Sequence, residues 1–230
     1  LLLARAPLQR LHAVLAGGGP TSASVVHRAI ESGVPLHLTY GMTETASQIT
    51  TTEKLTACPS RIHAGKPLPG RELRISPSGE VQVRGGILAT GVLTSSGQLE
   101  SITDAEGWAS TRDVGTLNKN NELILLGRRD RMIISGGENI HPERIEAILS
   151  DVPGVVRVAV VGITHPVFGM RPVAFVIGNV NVESLRDFLG ERVERFEIPD
   201  FFFPWPDAIP IDDAKIDCSQ LTRLAETMAH

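Results

Sequence analysis

Residues 11–41 run LHAVLAGGGPTSASVVHRAIESGVPLHLTYG. The apolar stretch 11–16 halts at Gly17, Gly18, Gly19 and Pro20, as a buried strand entering a turn does. Thr21 or Ser22 then supplies a helix cap. Val25, Val26, Ala29 and Ile30 form the apolar stripe of a helix that Gly33 and Pro35 end. A second strand, 36–40, runs into Gly41. Strand, helix and strand within roughly thirty residues make a βαβ unit, which implies a parallel sheet with ligand contacts at the C-terminal ends of its strands.

Downstream of about residue 60 the texture changes to short alternating runs, 72–75 and 80–84, separated by Pro77, Ser78 and Gly79, followed by strands over 108–117 and 122–126. This pattern predicts a small antiparallel β subdomain. After Asp130 an α+β unit is expected, with strands over 132–135, 155–162 and 172–177 and helices over 142–150, 182–193 and 217–228. A boundary at 129–131 gives two domains, 1–129 and 130–230. The fold class is therefore α/β: a βαβ unit with a small antiparallel β subdomain, followed by a small α+β domain.

Composition narrows the function. Apolar residues make up 42% and charged residues 21% of 230, which fits a folded globular chain. Twenty-six acids against twenty-two bases give a formal charge of −4, which argues against tracking along nucleic acid. No apolar run reaches the roughly 18 residues that span a bilayer, so no membrane anchor is read. Cys58 and Cys218 form no Cys-x-x-Cys pair, which suits a reducing, cytoplasmic setting. The chain opens at Leu1 in mid-pattern, as a piece of a longer polypeptide would.

Several residues offer chemistry. Gly17, Gly18 and Gly19 lie between a strand and a helix, where bare backbone approaches a ligand and a helix N-terminus favours an anion. In Tyr40-Gly41-Met42-Thr43-Glu44 the chain's only tyrosine can stack on a base, Thr43 offers a hydroxyl to a phosphate, and Glu44 offers a hard oxygen to magnesium. Asp113 and Arg128 fall at predicted loop edges, where an acid and a base can share the hydroxyls of a ribose; taken alone they read as a surface salt bridge. Asp130 reads as a cap or turn residue, and Ser135-Gly136-Gly137-Glu138-Asn139 as a loop before Pro142, which suits a first helical position. Lys215 is the only lysine after residue 119 in a chain otherwise rich in arginine, which fits a point-charge contact to a phosphate or carboxylate. Gly65-Lys66-Pro67 and Thr94-Ser95-Ser96-Gly97 do not complete a phosphate-loop spacing and read as turns.

Taken together, AGGGP at 16–20, YGMTE at 40–44, AGKPLPG at 64–70, EGWASTRDVG at 106–115, GRRDRMIISGGENIHPERIE at 127–146 and Lys215 resemble, in order, the adenylate-forming superfamily of acyl-CoA synthetases, adenylation domains and luciferases. The resemblance implies an ATP-dependent acid–thiol ligase that uses ATP, Mg2+ and CoA and acts on a small carboxylate. It sets Tyr40 against the adenine, with Gly17, Gly18, Gly19, Gly41 and Met42 at the nucleotide. Thr43 would meet the α-phosphate, Glu44 the magnesium, and Asp113 with Arg128 the ribose. Asp130 would be a hinge, Gly136 and Gly137 would meet the pantetheine arm, and Lys215 would bridge carboxylate and α-phosphate. The Ser/Thr/Gly-rich phosphate loop that such relatives carry upstream of AGGGP is not in the sequence, so the resemblance makes residues 1–129 the C-terminal part of a large α/β domain and the missing N-terminal half of the same polypeptide an expected partner.

GQLESITDAEGWASTRDVG at 97–115, FGMRPVAFV at 168–176 and VERFEIPDFFFPWP at 193–206 are similar to the o-succinylbenzoate:CoA ligases of menaquinone biosynthesis. Aryl-CoA ligases of the 4-chlorobenzoate type share the SGGENIHP loop and are the alternative. A noncatalytic nucleotide-binding module stands as a further reading, and association with a second copy stays open.

Overall fold

The computed structural model describes residues 10–210 and 216–229, and they form two compact units that divide between Arg129 and Asp130. In the first unit, strand β1 (Val14–Ala16) leads through helix α1 (Ala23–Glu31) to β2 (Leu36–Gly41), which pairs with β1 in parallel. Ser22 caps α1, its side chain accepting from the Val25 N–H. Val26, Leu36 and Leu38 are the buried centre on which Val14, Ala29 and Ile30 pack. The chain then reverses. Strand β3 (Gln48–Thr51) pairs antiparallel with β2, and β4 (Lys66–Pro67) with β3, giving the order β1-β2-β3-β4.

Strands β5 (Arg71–Ile75) and β6 (Glu80–Gly85) form a hairpin turning at the Pro77-Ser78-Gly79 signal. A two-strand ribbon, β7 (Val92–Leu93) with β8 (Leu99–Glu100), precedes β9 (Ala109–Leu117) and β10 (Leu123–Arg128). The second sheet is antiparallel in the order β10-β9-β6-β5. Tyr40, Ile49, Ala64, Val81, Val83, Ala109 and Leu123 form one buried cluster, so residues of both sheets share this unit's main core.

The second unit holds β11 (Ile133–Ser135), β12 (Glu138–Ile140), α2 (Pro142–Leu149), β13 (Val155–His165), β14 (Gly169–Gly178), α3 (Val182–Gly190), β15 (Phe201–Pro204) and α4 (Cys218–Met228). Its sheet runs β12-β11-β14-β13, and β15 joins β14 in parallel. Val158 and Val160 pack with residues of α2 and α3, while Ala159, Val161 and Ile163 pack with Leu221 and Ala225 of α4. Cover on both faces is why β13 is a nearly continuous apolar run and shows no clean alternation. Among the described residues no helix is long and apolar enough to cross a membrane.

Candidate active site

Strand β2 delivers the YGMTE segment. Tyr40 ends buried, with 7% exposure, and its ring belongs to the core cluster with Ile49 and Val81. A Cβ on Gly41 would lie 2.0 Å from the Ser47 carbonyl oxygen, so only glycine allows β3 to approach so closely here. Thr43, Glu44 and Thr45 make one 3-10 turn. The buried Thr45 hydroxyl holds it, lying 2.8 Å from the carbonyl oxygens of Met42 and Ser47 and accepting from the Met42 N–H at 3.1 Å. The Glu44 carbonyl also accepts from the Ala89 N–H at 2.7 Å, which pins the turn to the loop after β6. Thr45 was invisible to motif reading, because a threonine beside a polar turn gives no sign that its hydroxyl faces inward.

The turn leaves two groups uncommitted. Neither the exposed Thr43 hydroxyl nor the half-buried Glu44 carboxylate makes a hydrogen bond or ion pair to another described residue. Among the described residues no three His, Cys, Asp or Glu side chains cluster as a metal cage. A lone uncommitted carboxylate fits magnesium, which keeps several waters or phosphate oxygens and takes few protein ligands.

Asp113 corrects one expectation, since it stands in the middle of β9, whereas Arg128 is the last residue of β10, at the edge of the turn 129–131. They are directly paired across β9 and β10, beside a register shift between Leu125 and Gly127 that carries β10 past Gly127. Tyr40 Oη donates to Asp113 Oδ2 at 2.6 Å, and Arg128 Nη1 lies 3.5 Å from Oδ1. The Asp113 N–H donates to the Thr111 hydroxyl at 3.1 Å, which itself donates to the Val81 carbonyl at 2.8 Å. Strand β2 and the β9–β10 pair, far apart in sequence, therefore converge on one carboxylate. Burial pushes the Tyr40 phenol well above its ordinary pKa, and the adjacent Asp113 charge adds to the effect. The hydroxyl is thus a fixed donor, and the Asp113 side chain is 17% exposed against 40% for Arg128.

Gly17, Gly18 and Gly19 are exposed after β1, with Pro20, Thr21 and Ser22 between them and α1, so the helix N-terminus does not begin at the glycines. Asp130 lies in a 3-10 turn, Arg129–Arg131. Its neighbours are tied in different units: Arg129 Nη1 donates to Glu80 at 3.1 Å, and Arg131 pairs with Glu143 at 3.1 Å and Glu146 at 2.5 Å. Burial of Arg131 works against its charge, but its hydrogen bond to Glu146 and the charges of Glu146 and Glu143 outweigh that and hold its pKa above the ordinary value. Gly136 and Gly137 form the exposed turn between β11 and β12. Lys215 lies outside the described residues.

The family description "AMP-binding enzyme" matches residues 2–99, and "AMP-binding enzyme C-terminal domain" matches 144–212. The chain belongs to the adenylate-forming superfamily. Its sequence is 37% identical over 199 residues to a 2-succinylbenzoate–CoA ligase of Bacillus cereus, covering 82% of this chain and 41% of that relative. The corresponding enzyme of Bacillus mycoides is 38% identical with the same coverage. Among solved structures, Bacillus subtilis o-succinylbenzoate CoA synthetase in complex with its acyl-adenylate intermediate superposes with a TM-score of 0.82 at 32% identity, over 92% of this chain and 46% of that one. A variant of Escherichia coli MenE with bound OSB-AMS gives 0.79 at 32% identity, over 95% and 47%. The chain thus spans less than half the length of these relatives. Its α/β architecture, with a small C-terminal domain, is that of the superfamily.

Proposed function

We propose that this protein acts in an acid:CoA ligase that activates o-succinylbenzoate with ATP and passes the acyl group to CoA. The observation that carries the reading is the convergence of Tyr40, Asp113 and Arg128 next to a turn whose Thr43 hydroxyl and Glu44 carboxylate are uncommitted. In the first step a carboxylate oxygen attacks the α-phosphorus, the bond to the β-phosphate oxygen breaks, and pyrophosphate leaves. Asp113, held by Tyr40 and Arg128, accepts from the ribose hydroxyls while Arg128 donates. Thr43 donates to the α-phosphate, and Glu44 would hold the Mg2+ that neutralises phosphate charge. Lys215 supplies the ammonium between carboxylate and α-phosphate, where charge builds. In the second step the CoA thiolate attacks the acyl carbonyl and AMP leaves. Gly136 and Gly137 admit the pantetheine arm, and Asp130 is the hinge between the two arrangements. Gly17, Gly18, Gly19, Gly41 and Met42 border the nucleotide. ATP and CoA suit a cytoplasmic setting.

The test uses the polypeptide expressed from its complete open reading frame. Pyrophosphate release and thioester formation are measured with o-succinylbenzoate, 4-chlorobenzoate and benzoate. A site built to pair a second carboxylate rejects acids that lack it, so o-succinylbenzoate should give the highest kcat/KM. Higher kcat/KM with 4-chlorobenzoate replaces this reading with an aryl-CoA ligase, and ATP binding without any thioester replaces it with a noncatalytic module. Lys215→Ala should lower adenylation on the order of 100-fold while sparing transfer from a supplied acyl adenylate.

A further inference from the structure

We propose that Arg171 is a positioning residue for the glycine turn 136–139, and through that turn for thioester formation. The second clause rests on the ligase reading above. Arg171 sits in β14 amid GMRPVAFV, and its side chain is buried. A guanidinium removed from water costs several kcal/mol unless its donors are matched. Here every donor has an acceptor. Nε lies 3.0 Å from both oxygens of Asp200, and Nη2 reaches Asp200 Oδ1 at 2.7 Å and the Ile198 carbonyl at 3.1 Å. Nη1 reaches the Phe196 carbonyl at 2.6 Å and the Ser135 hydroxyl at 3.2 Å. Only a planar fork serves that many acceptors at once, which lysine does not offer.

Ser135 is the informative partner. It is the last residue of β11, 3% exposed, and immediately precedes Gly136 and Gly137, which stand at φ +61° and +91°. Residues 136–139 are all exposed; a Cβ on Gly137 would meet nothing within 4 Å and one on Gly136 only the Phe168 ring at 3.4 Å, so little packing holds the turn. Its shape is set from the stem. Ser135 is the one residue of β11 in register with β14, opposite Gly169, and the Gly136 N–H donates to the Phe168 carbonyl at 2.8 Å. Among the described residues Arg171 makes the only side-chain hydrogen bond to Ser135, and the same guanidinium grips 196–200. A need for stability alone is met as well by apolar residues of similar volume, since replacing a buried ion pair in that way is often neutral or stabilising. The hub therefore points to control of the turn's geometry.

Ser135→Ala removes the tie to the turn and leaves the Arg171–Asp200 pair in place, so it tests the idea without threatening the fold. Two measurements are made. Amide hydrogen exchange at 136–139 in the 230-residue chain should rise about five- to tenfold in Ser135→Ala, the range expected for one lost hydrogen bond. In the polypeptide from the complete open reading frame, transfer from a supplied acyl adenylate should show a KM for CoA raised about fivefold or more, with adenylation within about twofold of wild type. Arg171→Lys should move both readouts the same way. Unchanged exchange at 136–139 overturns the positioning role, whatever the enzyme does. Equal losses in both half-reactions overturn the link to thioester formation. A wild-type protein that makes no thioester overturns the ligase reading, while the exchange result still decides whether Arg171 sets the turn.

Discussion

The sole tyrosine of the chain permits a direct test of the candidate site. Tyr40 Oη donates to Asp113 Oδ2 at 2.6 Å from a side chain in the core, and burial together with that carboxylate raises its pKa. The unfolded chain releases the same proton near pH 10. Because the folded-state pKa is the higher of the two, the stability from this linkage is complete below about pH 10 and is lost as pH rises above it. Its limiting slope is one proton, or about 1.4 kcal/mol per pH unit. Between about pH 10 and 11.5 the fold should thus lose about 2 kcal/mol through this group alone. Urea unfolding at a series of pH values measures the loss, and near-ultraviolet phenolate absorbance reports the ionisation of this one residue. Tyr40→Phe serves as the control: it should start lower by about 1–2 kcal/mol for the missing charge-assisted hydrogen bond, and its stability should lack the extra slope. Phenolate absorbance that rises with a midpoint near pH 10 while circular dichroism stays native would refute the geometry.

Gly41→Ala sets a methyl against the Ser47 carbonyl at the β2–β3 crossover, an overpacking that should cost about 3 kcal/mol in urea unfolding; a loss below about 1 kcal/mol would show that β3 yields easily. Thr45→Val keeps the shape of a buried side chain and deletes the hydroxyl that folds the 43–45 turn. It should cost about 1–3 kcal/mol and weaken ATP binding more than CoA binding, as isothermal titration can measure. Equal weakening of the two would detach the turn from the nucleotide.

The βαβ unit was legible because its signals are local: an apolar run, a glycine stop, a cap at Ser22 and a stripe of period near 3.6. The long strands β13 and β14 were legible for the same reason, although their ends at His165 and Gly169 lay beyond the expected limits. Strands β3, β4, β12 and β15 escaped. They have four residues or fewer, and pairing with distant strands defines them more than their own propensity does. The aromatic tract of β15 shows this best, since only its parallel register with 173–176 makes it a strand. Helix α3 stops at Gly190, short of the expected 193, where the Arg192 and Val193 N–H groups both turn back to the Leu189 carbonyl. In the site, the motifs named Tyr40, Asp113 and Arg128 but not their contact. Tyr40 and Asp113 are 73 residues apart, and no local pattern encodes a hydrogen bond across that distance. Arg171 was hidden in the same way, because an arginine in an apolar strand shows its purpose only once Ser135 and Asp200 are seen around it.

Among the described residues, the eleven-residue strand β13 ends the order β12-β11-β14-β13 with no further strand beside it. Bare strand edges invite other chains to add to the sheet. Here the seam is sewn by acids from the flanking helices. Glu146 of α2 accepts from the Val160 N–H at 2.8 Å, and Glu226 of α4 takes both the N–H of Thr164 at 2.8 Å and its hydroxyl at 2.9 Å. Arg131 covers the Val160 carbonyl at 3.2 Å. Over 160–164 an incoming strand would find these groups already engaged and two carboxylates in its path, so side chains shield this stretch of the longest described strand from adding a neighbour.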